Sequence, residues 1–201
     1  MKILAVYGST HQQGHARILA EVIAGAAHQH GAEVEHFDLL HTPLPPFRTD
    51  QNFHNEENVV KIRALCRHAD GFILVSPEYH GCMSNWIKNF LDFHYQEFAG
   101  KLFAIAASTG GSMGVSCNTQ MRVAIQHCHG WALPYQAAVK ESEFDAEHRI
   151  INARAVDRLE RMGRDLVVYG KLLRQQFQDD KAKAGLSDNK AEFGFGGWYA
   201  E

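Results

Sequence analysis

Lys2-Ile3-Leu4-Ala5-Val6-Tyr7-Gly8-Ser9-Thr10-His11-Gln12-Gln13-Gly14-His15-Ala16-Arg17 opens with an apolar run, breaks at a glycine and passes through polar residues into a helical pattern. The run Lys2–Tyr7 is short and rich in β-formers, so it reads as a strand closed by Gly8-Ser9. From Ala16 to His30, Ile18, Leu19, Val22, Ile23 and Ala26 recur at helical spacing, and Gly31 follows as a favourable helix-ending residue. A strand leading through a glycine turn into an amphipathic helix is the first half of a parallel crossover.

The same rhythm continues outward. Glu33–Asp38 alternates weakly as a strand, and Leu39–Asn58 holds Pro43, Pro45 and Pro46, which make it a loop. Val59–His68 is a short amphipathic helix, and Phe72-Ile73-Leu74-Val75 is a continuous apolar run, as expected of a strand covered on both faces. Ser84–His94 reads as a helix with Trp86, Ile87, Phe90 and Leu91 on one side. Leu102–Ala107 is a buried strand, Ser108–Gly114 a small-residue loop and Val115–His129 a helix. Trp131–Val139 is the fifth strand, with Pro134 pointing to an edge or an irregular start. Ile151, Ala155, Leu159, Met162, Leu166, Leu173 and Phe177 mark a long terminal helix. Gln178–Glu201 has no periodicity and ends in a glycine-spaced aromatic tail, expected to be loose or packed on the surface. Five strands alternating with five helices predict an α/β fold, a doubly wound parallel sheet with helices on both faces.

Composition narrows the function. The 201 residues carry 20 Lys+Arg against 23 Asp+Glu, a net charge of −3, which disfavours a nucleic-acid partner. Apolar runs fall far short of the roughly 20 residues that cross a bilayer, so no membrane insertion is expected. The amino terminus lacks a signal-peptide pattern, so a soluble, cytoplasmic protein is expected. Cys66, Cys82, Cys117 and Cys128 form no C-x-x-C pair and are expected to remain reduced. His127-Cys128-His129 is read as two partly buried residues and one exposed at a helix end, and no metal site is expected.

Ligands of open parallel sheets gather beyond the carboxyl ends of the strands, where strand order reverses. Three unusual loops lie there. The loop Gly8–Arg17 offers unpaired helix N–H groups with the hydroxyls of Ser9 and Thr10, an anion cradle to which Arg17 or His11 adds charge. It lacks the P-loop lysine and the G-x-G-x-x-G spacing, which points to a phosphomonoester. Ser76-Pro77-Glu78-Tyr79-His80-Gly81-Cys82 is a Pro-x-aromatic-x-Gly turn, a rigid backbone beside a flat wall that suits a planar heterocycle. Ser108-Thr109-Gly110-Gly111-Ser112-Met113-Gly114 permits close backbone approach and supplies N–H donors.

Pro77-Glu78-Tyr79-His80-Gly81, with Lys88-Asn89-Phe90-Leu91-Asp92 behind it, resembles the NAD(P)H-dependent FMN reductases and quinone reductases of the flavodoxin-like fold. The likeness spans roughly residues 2–140. It implies a five-stranded sheet of order 2-1-3-4-5, an FMN-binding domain over 1–177 and an appended tail over 178–201. It further implies that Ser9, His11, His15, Ala16 and Arg17 surround the FMN phosphate, and that Pro77, Glu78, Tyr79, His80 and Gly81 line the isoalloxazine. Ser108, Thr109, Gly110 and Gly111 then lie at its pyrimidine end. Departures are His11 where the family often has Arg, His15-Ala16 where hydroxyl or amide residues are usual, and His80 in place of Asn.

With FMN as cofactor and NADPH or NADH as co-substrate, ping-pong turnover through flavin N5 to a quinone or another small electron acceptor is expected. Tyr79 and His80 are candidates for positioning the incoming ring, and His80 for proton delivery; Cys82 reads as a packing residue. The resemblance implies a homodimer or homotetramer with the flavin near the seam, where Trp86 and Phe90 are candidate contacts. The alternatives are an electron-transfer flavodoxin-like carrier and a non-catalytic module that binds a phosphorylated ligand.

Overall fold

The computed structural model describes residues 1–9, 11 and 13–200. The apolar runs form the strands β1 (Lys2–Tyr7), β3 (Gly71–Tyr79) and β5 (Leu102–Thr109), which pair in parallel, with β3 in the middle. The sheet is extended by β2 (Glu33–Asp38) beside β1, and by β6 (Trp131–Ala132) and β7 (Ala137–Lys140) beside β5. The two residues of β4 (Cys82–Met83) fold back antiparallel on β3. Counting only strands joined by crossovers, the order is 2-1-3-4-5, the flavodoxin-like order.

Alternation within the strands explains why both faces are covered. Ile3, Ala5, Tyr7, Ile73 and Val75 pack under α1 (His15–Gln29) and α5 (Ala153–Ala184). Leu4, Val6, Phe72, Leu74, Phe103 and Ile105 pack under α2 (Glu57–His68), α3 (Asn85–Asp92) and α4 (Val115–His127). Phe72 and Phe103 stack with centroids 4.5 Å apart, and Phe98 meets both rings edge-on. Burial of such side chains stabilises by roughly 1.5–3 kcal/mol each. Gly163 lets α5 ride on α1, since a Cβ there would come within 2.3 Å of the Ile23 carbonyl oxygen. The outer strand β2 is largely exposed and carries Glu33, Glu35 and His36, charges and polarity that discourage edge pairing.

Three expectations need adjustment, and of the two given for the tail the packed one holds. Pro77, Glu78 and Tyr79 belong to β3 itself and Ser108 and Thr109 to β5, so only His80-Gly81 and Gly110–Gly114 are true turns. The fifth strand is split in two, because Leu133–Gln136, with Pro134 at its centre, leaves the ladder. The terminal helix runs past Phe177 to Ala184, and Gln178 is therefore helical. The tail folds as short 3₁₀ turns over Lys190–Tyr199 and packs, with Phe195 and Tyr199 against Phe177 and His129.

The proline-rich loop is also pinned: the Asn89 side-chain oxygen accepts from Phe47 N–H at 2.7 Å and its amide donates to the Pro45 carbonyl at 2.9 Å. No helix among the described residues is long and apolar enough to cross a membrane. All four cysteines are free thiols, and His127 is exposed while Cys128 and His129 are half-buried.

Candidate functional site

β1, β3 and β5 lie side by side, so the segments that leave their carboxyl ends share one rim. After β1, Gly8 N–H donates to the Val75 carbonyl at 3.3 Å and keeps the chain on the sheet for one more residue. Ser9 is buried; its hydroxyl donates to the His11 carbonyl at 3.1 Å and accepts from His11 N–H at 3.3 Å. Gly14 closes the loop as the cap of α1, so tight on Ser9 that a Cβ would fall 1.5 Å from its hydroxyl oxygen. Glycine offers no capping side chain and the first turn of α1 has no acidic residue, so its N–H groups and positive dipole end are open to an anion. Thr10 lies outside the described residues.

The charged residues expected around a phosphate divide. Arg17 pairs with Glu21 at 3.0 Å and reaches Asp38 at 3.7 Å, so two carboxylates hold its guanidinium and raise its pKa. His15 stacks flat on Phe144, centroids 3.7 Å apart, with its Nε2 3.3 Å from His148 Nδ1. Burial, then the neighbouring His148, lowers the His15 pKa, so its imidazole is neutral near pH 7. His11 is exposed, its Nδ1 accepting from Gln13 N–H at 3.2 Å, and Ala16 is buried under the loop. Nothing in the periodicity of residues 141–152 announces Phe144 and His148 at this place.

The second segment is a two-residue hairpin. Tyr79 pairs with Cys82, and the intervening His80 (φ 53°) and Gly81 (φ 76°) are both left-handed, the conformation of a type I′ turn. Asn-Gly is the favoured pair for such a turn, and His is among the residues that tolerate this region. Tyr79 and His80 are exposed at the rim and Pro77 lies opposite Ser108 in the ladder. Cys82 is exposed, with its sulfur 3.5 Å from the Gln120 amide, rather than packed inside as expected.

In the third segment Ser108 and Thr109 are buried, the Thr109 hydroxyl donates to the Ser112 carbonyl at 2.9 Å, and Gly114 (φ 65°) starts α4. Gly110 and Gly111 differ from the other loop glycines. Neither has a positive φ, and a Cβ on either would meet nothing within 4 Å.

Side-chain ties join the three. Ser84 N–H donates to Ser76 Oγ at 2.8 Å, and Ser84 Oγ donates to the Gly8 carbonyl at 3.4 Å while capping Ile87 N–H at the start of α3. Ser112 Oγ donates to the Glu78 carboxylate, bridging the hairpin and the glycine loop. Neither Ser84 nor Ser112 is singled out by the sequence, because serine between two apolar elements has no pattern of its own.

The rim thus carries an open helix N-terminus at one end and two unencumbered glycines at the other. Residues 1–144 match the NADPH-dependent FMN reductase family. The chain belongs to it. Among curated relatives, the NADPH azoreductase of Bacillus sp. (strain OY1-2) is 31% identical over 141 residues, covering 69% of this chain and 76% of that protein. The NADPH-dependent FMN reductase ArsH of Rhizobium meliloti (strain 1021) is 30% identical over 181 residues, 86% of this chain and 73% of that protein. Among solved structures, the flavoenzyme FerB of Paracoccus denitrificans superposes with a TM-score of 0.71 at 17% identity, over 85% of this chain and 97% of its own. Such a distant likeness speaks for the fold alone. FMN is thus the cofactor and NAD(P)H the reductant of this FMN reductase family member. The residues present fit FMN: the space over Gly110 and Gly111 is what a Cβ would fill, and the first turn of α1 carries no acidic residue of its own.

Proposed function

We propose that the chain is an FMN-dependent NAD(P)H oxidoreductase that passes two electrons to a quinone or another small planar acceptor by ping-pong turnover. The open face over Gly110 and Gly111 carries this reading. When bound, FMN supplies the hydride chemistry, while the protein supplies binding, orientation and electrostatics. The N–H groups at the start of α1, beside Ser9, bind the phosphate. Pro77–Gly81 and Ser108–Gly111 line the ring, and their backbone N–H groups hold negative charge at its pyrimidine end. Exposed Tyr79 positions the incoming ring and His80 is placed to deliver a proton. Arg17 contributes at longer range, through the pairs it makes with Glu21 and Asp38. NAD(P)H and acceptor use the same open face in turn, which is what makes the kinetics ping-pong. Residues 1–177 act as the FMN-binding domain of a cytoplasmic protein.

The working unit in this reading is a homodimer. A groove of about 930 Å³ between α3 and α4, lined by Cys82, Met83, Leu91, Tyr95, Val123 and Ala124, continues directly from the hairpin of the rim. Val123 of α4 is exposed in its wall, an apolar side chain open to a partner. A second copy covers this groove and brings its own rim beside the first. Phe90 is fully buried against Phe98 and His94 and is out of a partner's reach, whereas half-buried Trp86 lines a surface pocket with Leu44 and Pro46 of the proline-rich loop.

The test is steady-state oxidation of NADPH and NADH by FMN-reconstituted protein across a panel of quinones, azo dyes and free flavin. Parallel double-reciprocal lines are expected. Intersecting lines rule out ping-pong; almost no turnover despite bound FMN favours a carrier; failure to take up FMN removes the oxidoreductase reading altogether.

A further inference from the structure

At the opposite end of the sheet, roughly 25 Å from the rim along the eight residues of β5, lies a second cavity. It encloses about 380 Å³, within the usual range for small ligands, and is walled by the end of α2, by the turn before β5, by α5 and by the tail. Among the described residues its lining contains Arg67, Lys101, Arg174 and Lys181 and one carboxylate, Glu97. In a chain of net charge −3 this is a concentrated positive site. Of these four cations, and among the described residues, Arg174 alone comes within salt-bridge distance of a carboxylate, Asp70, at 3.8 Å.

Lys101 is the unusual member. It is 3% exposed, and its ammonium donates to the Cys66 and Arg67 carbonyls at 2.6 and 3.2 Å, so it caps the end of α2 with no carboxylate in salt-bridge contact among the described residues. A buried charge without an anionic partner is costly unless something neutralises it. The lip of the cavity is Trp198. The neighbouring tail residues are fastened, Tyr199 by a hydrogen bond to His129 and Gly197 by close packing on Lys190, yet Trp198, its ring tilted against His129, is 73% exposed. A flat aromatic surface beside a cluster of cations matches a ligand with both a ring and a negative charge.

We propose that this cavity binds a small aromatic anion, a planar ring carrying a phosphate-like dianionic group, with the charge on Lys101 and Arg174 and the ring on Trp198. The ammonium of Lys101 is pushed down to about 8 by burial first and by Arg174 next, with Cys66, Asp70 and Glu97 opposing. Arg67, Lys181 and Tyr199 complete the charged and titratable groups of the lining. An anion seated there favours the protonated form, so affinity falls as pH rises through the Lys101 titration.

The decisive measurement is calorimetric titration of FMN-saturated protein with phenyl phosphate, with phenol and inorganic phosphate as the separate halves of the probe. Saturation fills the phosphate end of the rim, and binding at the open flavin face is told apart because it is indifferent to Arg174→Gln and Trp198→Ala. Binding of phenyl phosphate at least about tenfold tighter than either half is expected. Arg174→Gln weakens it by about tenfold, and Trp198→Ala reduces it to the level of inorganic phosphate, while FMN content and turnover stay unchanged in both. These two positions avoid the buried Lys101, whose replacement disturbs the end of α2. Affinity indifferent to both substitutions, or no heat at millimolar phenyl phosphate, overturns the proposal.

Discussion

A valine at position 110 fills the space that Gly110 leaves open, yet touches no protein atom within 4 Å at its Cβ. Gly110→Val is therefore expected to abolish FMN binding with little change in thermal stability, read by flavin absorbance of the purified protein and by a melting curve. Retained flavin affinity rules out the assigned pyrimidine-end contact. Lys101 offers a separate test. Its folded pKa of about 8 lies below the 10.5 of an unperturbed lysine, so between these values the unfolded chain holds a proton that the folded one has released. Stability supplied by this residue accordingly rises with pH across that window, and the cost of burying the charge is fully present below it. Relative to Lys101→Met, the wild type is expected to gain on the order of 3 kcal/mol between these limits, measured by urea denaturation at several pH values. At this scale the glycines of the rim were legible, since Gly110-Gly111 stands out in any sequence. The left-handed His80 and the knot at Ser84 were not, because a φ angle and a hydrogen bond across many residues leave no local trace.

Helix α5 meets the backbone of α1 at Gly163, where an added Cβ also comes within 2.9 Å of Ala27 N. Gly163→Val is expected to destabilise by at least about 1–3 kcal/mol, lowering the denaturation midpoint, because a helix backbone cannot step aside as a flexible side chain can. Asn89→Ala releases both hooks on the proline-rich loop, at a cost of about 1–3 kcal/mol and with faster proteolysis between Pro43 and Asn58. The elements themselves were readable where burial is two-sided: the runs at Ile3, Phe72 and Leu102 are strands in both sequence and structure. Reading weakened where tertiary contacts decide. The last turns of α5 are amphipathic only against the tail they carry, and the split of the fifth strand follows from how Leu133–Gln136 leaves the sheet rather than from apolar content.

At the scale of the molecule, the groove between α3 and α4 makes a quantitative demand on assembly. Val123→Glu puts a charge into the proposed seam and is expected to shift light scattering from a dimeric to a monomeric mass; a monomeric wild type removes the seam outright. The topology was legible because alternating strands and helices leave few solutions under the right-handed crossover rule. The second cavity was not, since Arg67, Lys101, Arg174 and Trp198 are far apart along the chain and meet only through the fold. One residue sets the character of the first site. Because Ser84 grips both the Gly8 carbonyl and Ser76, loosening either arm of the rim loosens the other. Amide protons on the two arms should therefore trade with deuterium in concert. A nucleotide bound as proposed would meet a vise whose jaws are already set to a common gap, and would spend little of its affinity on drawing them together.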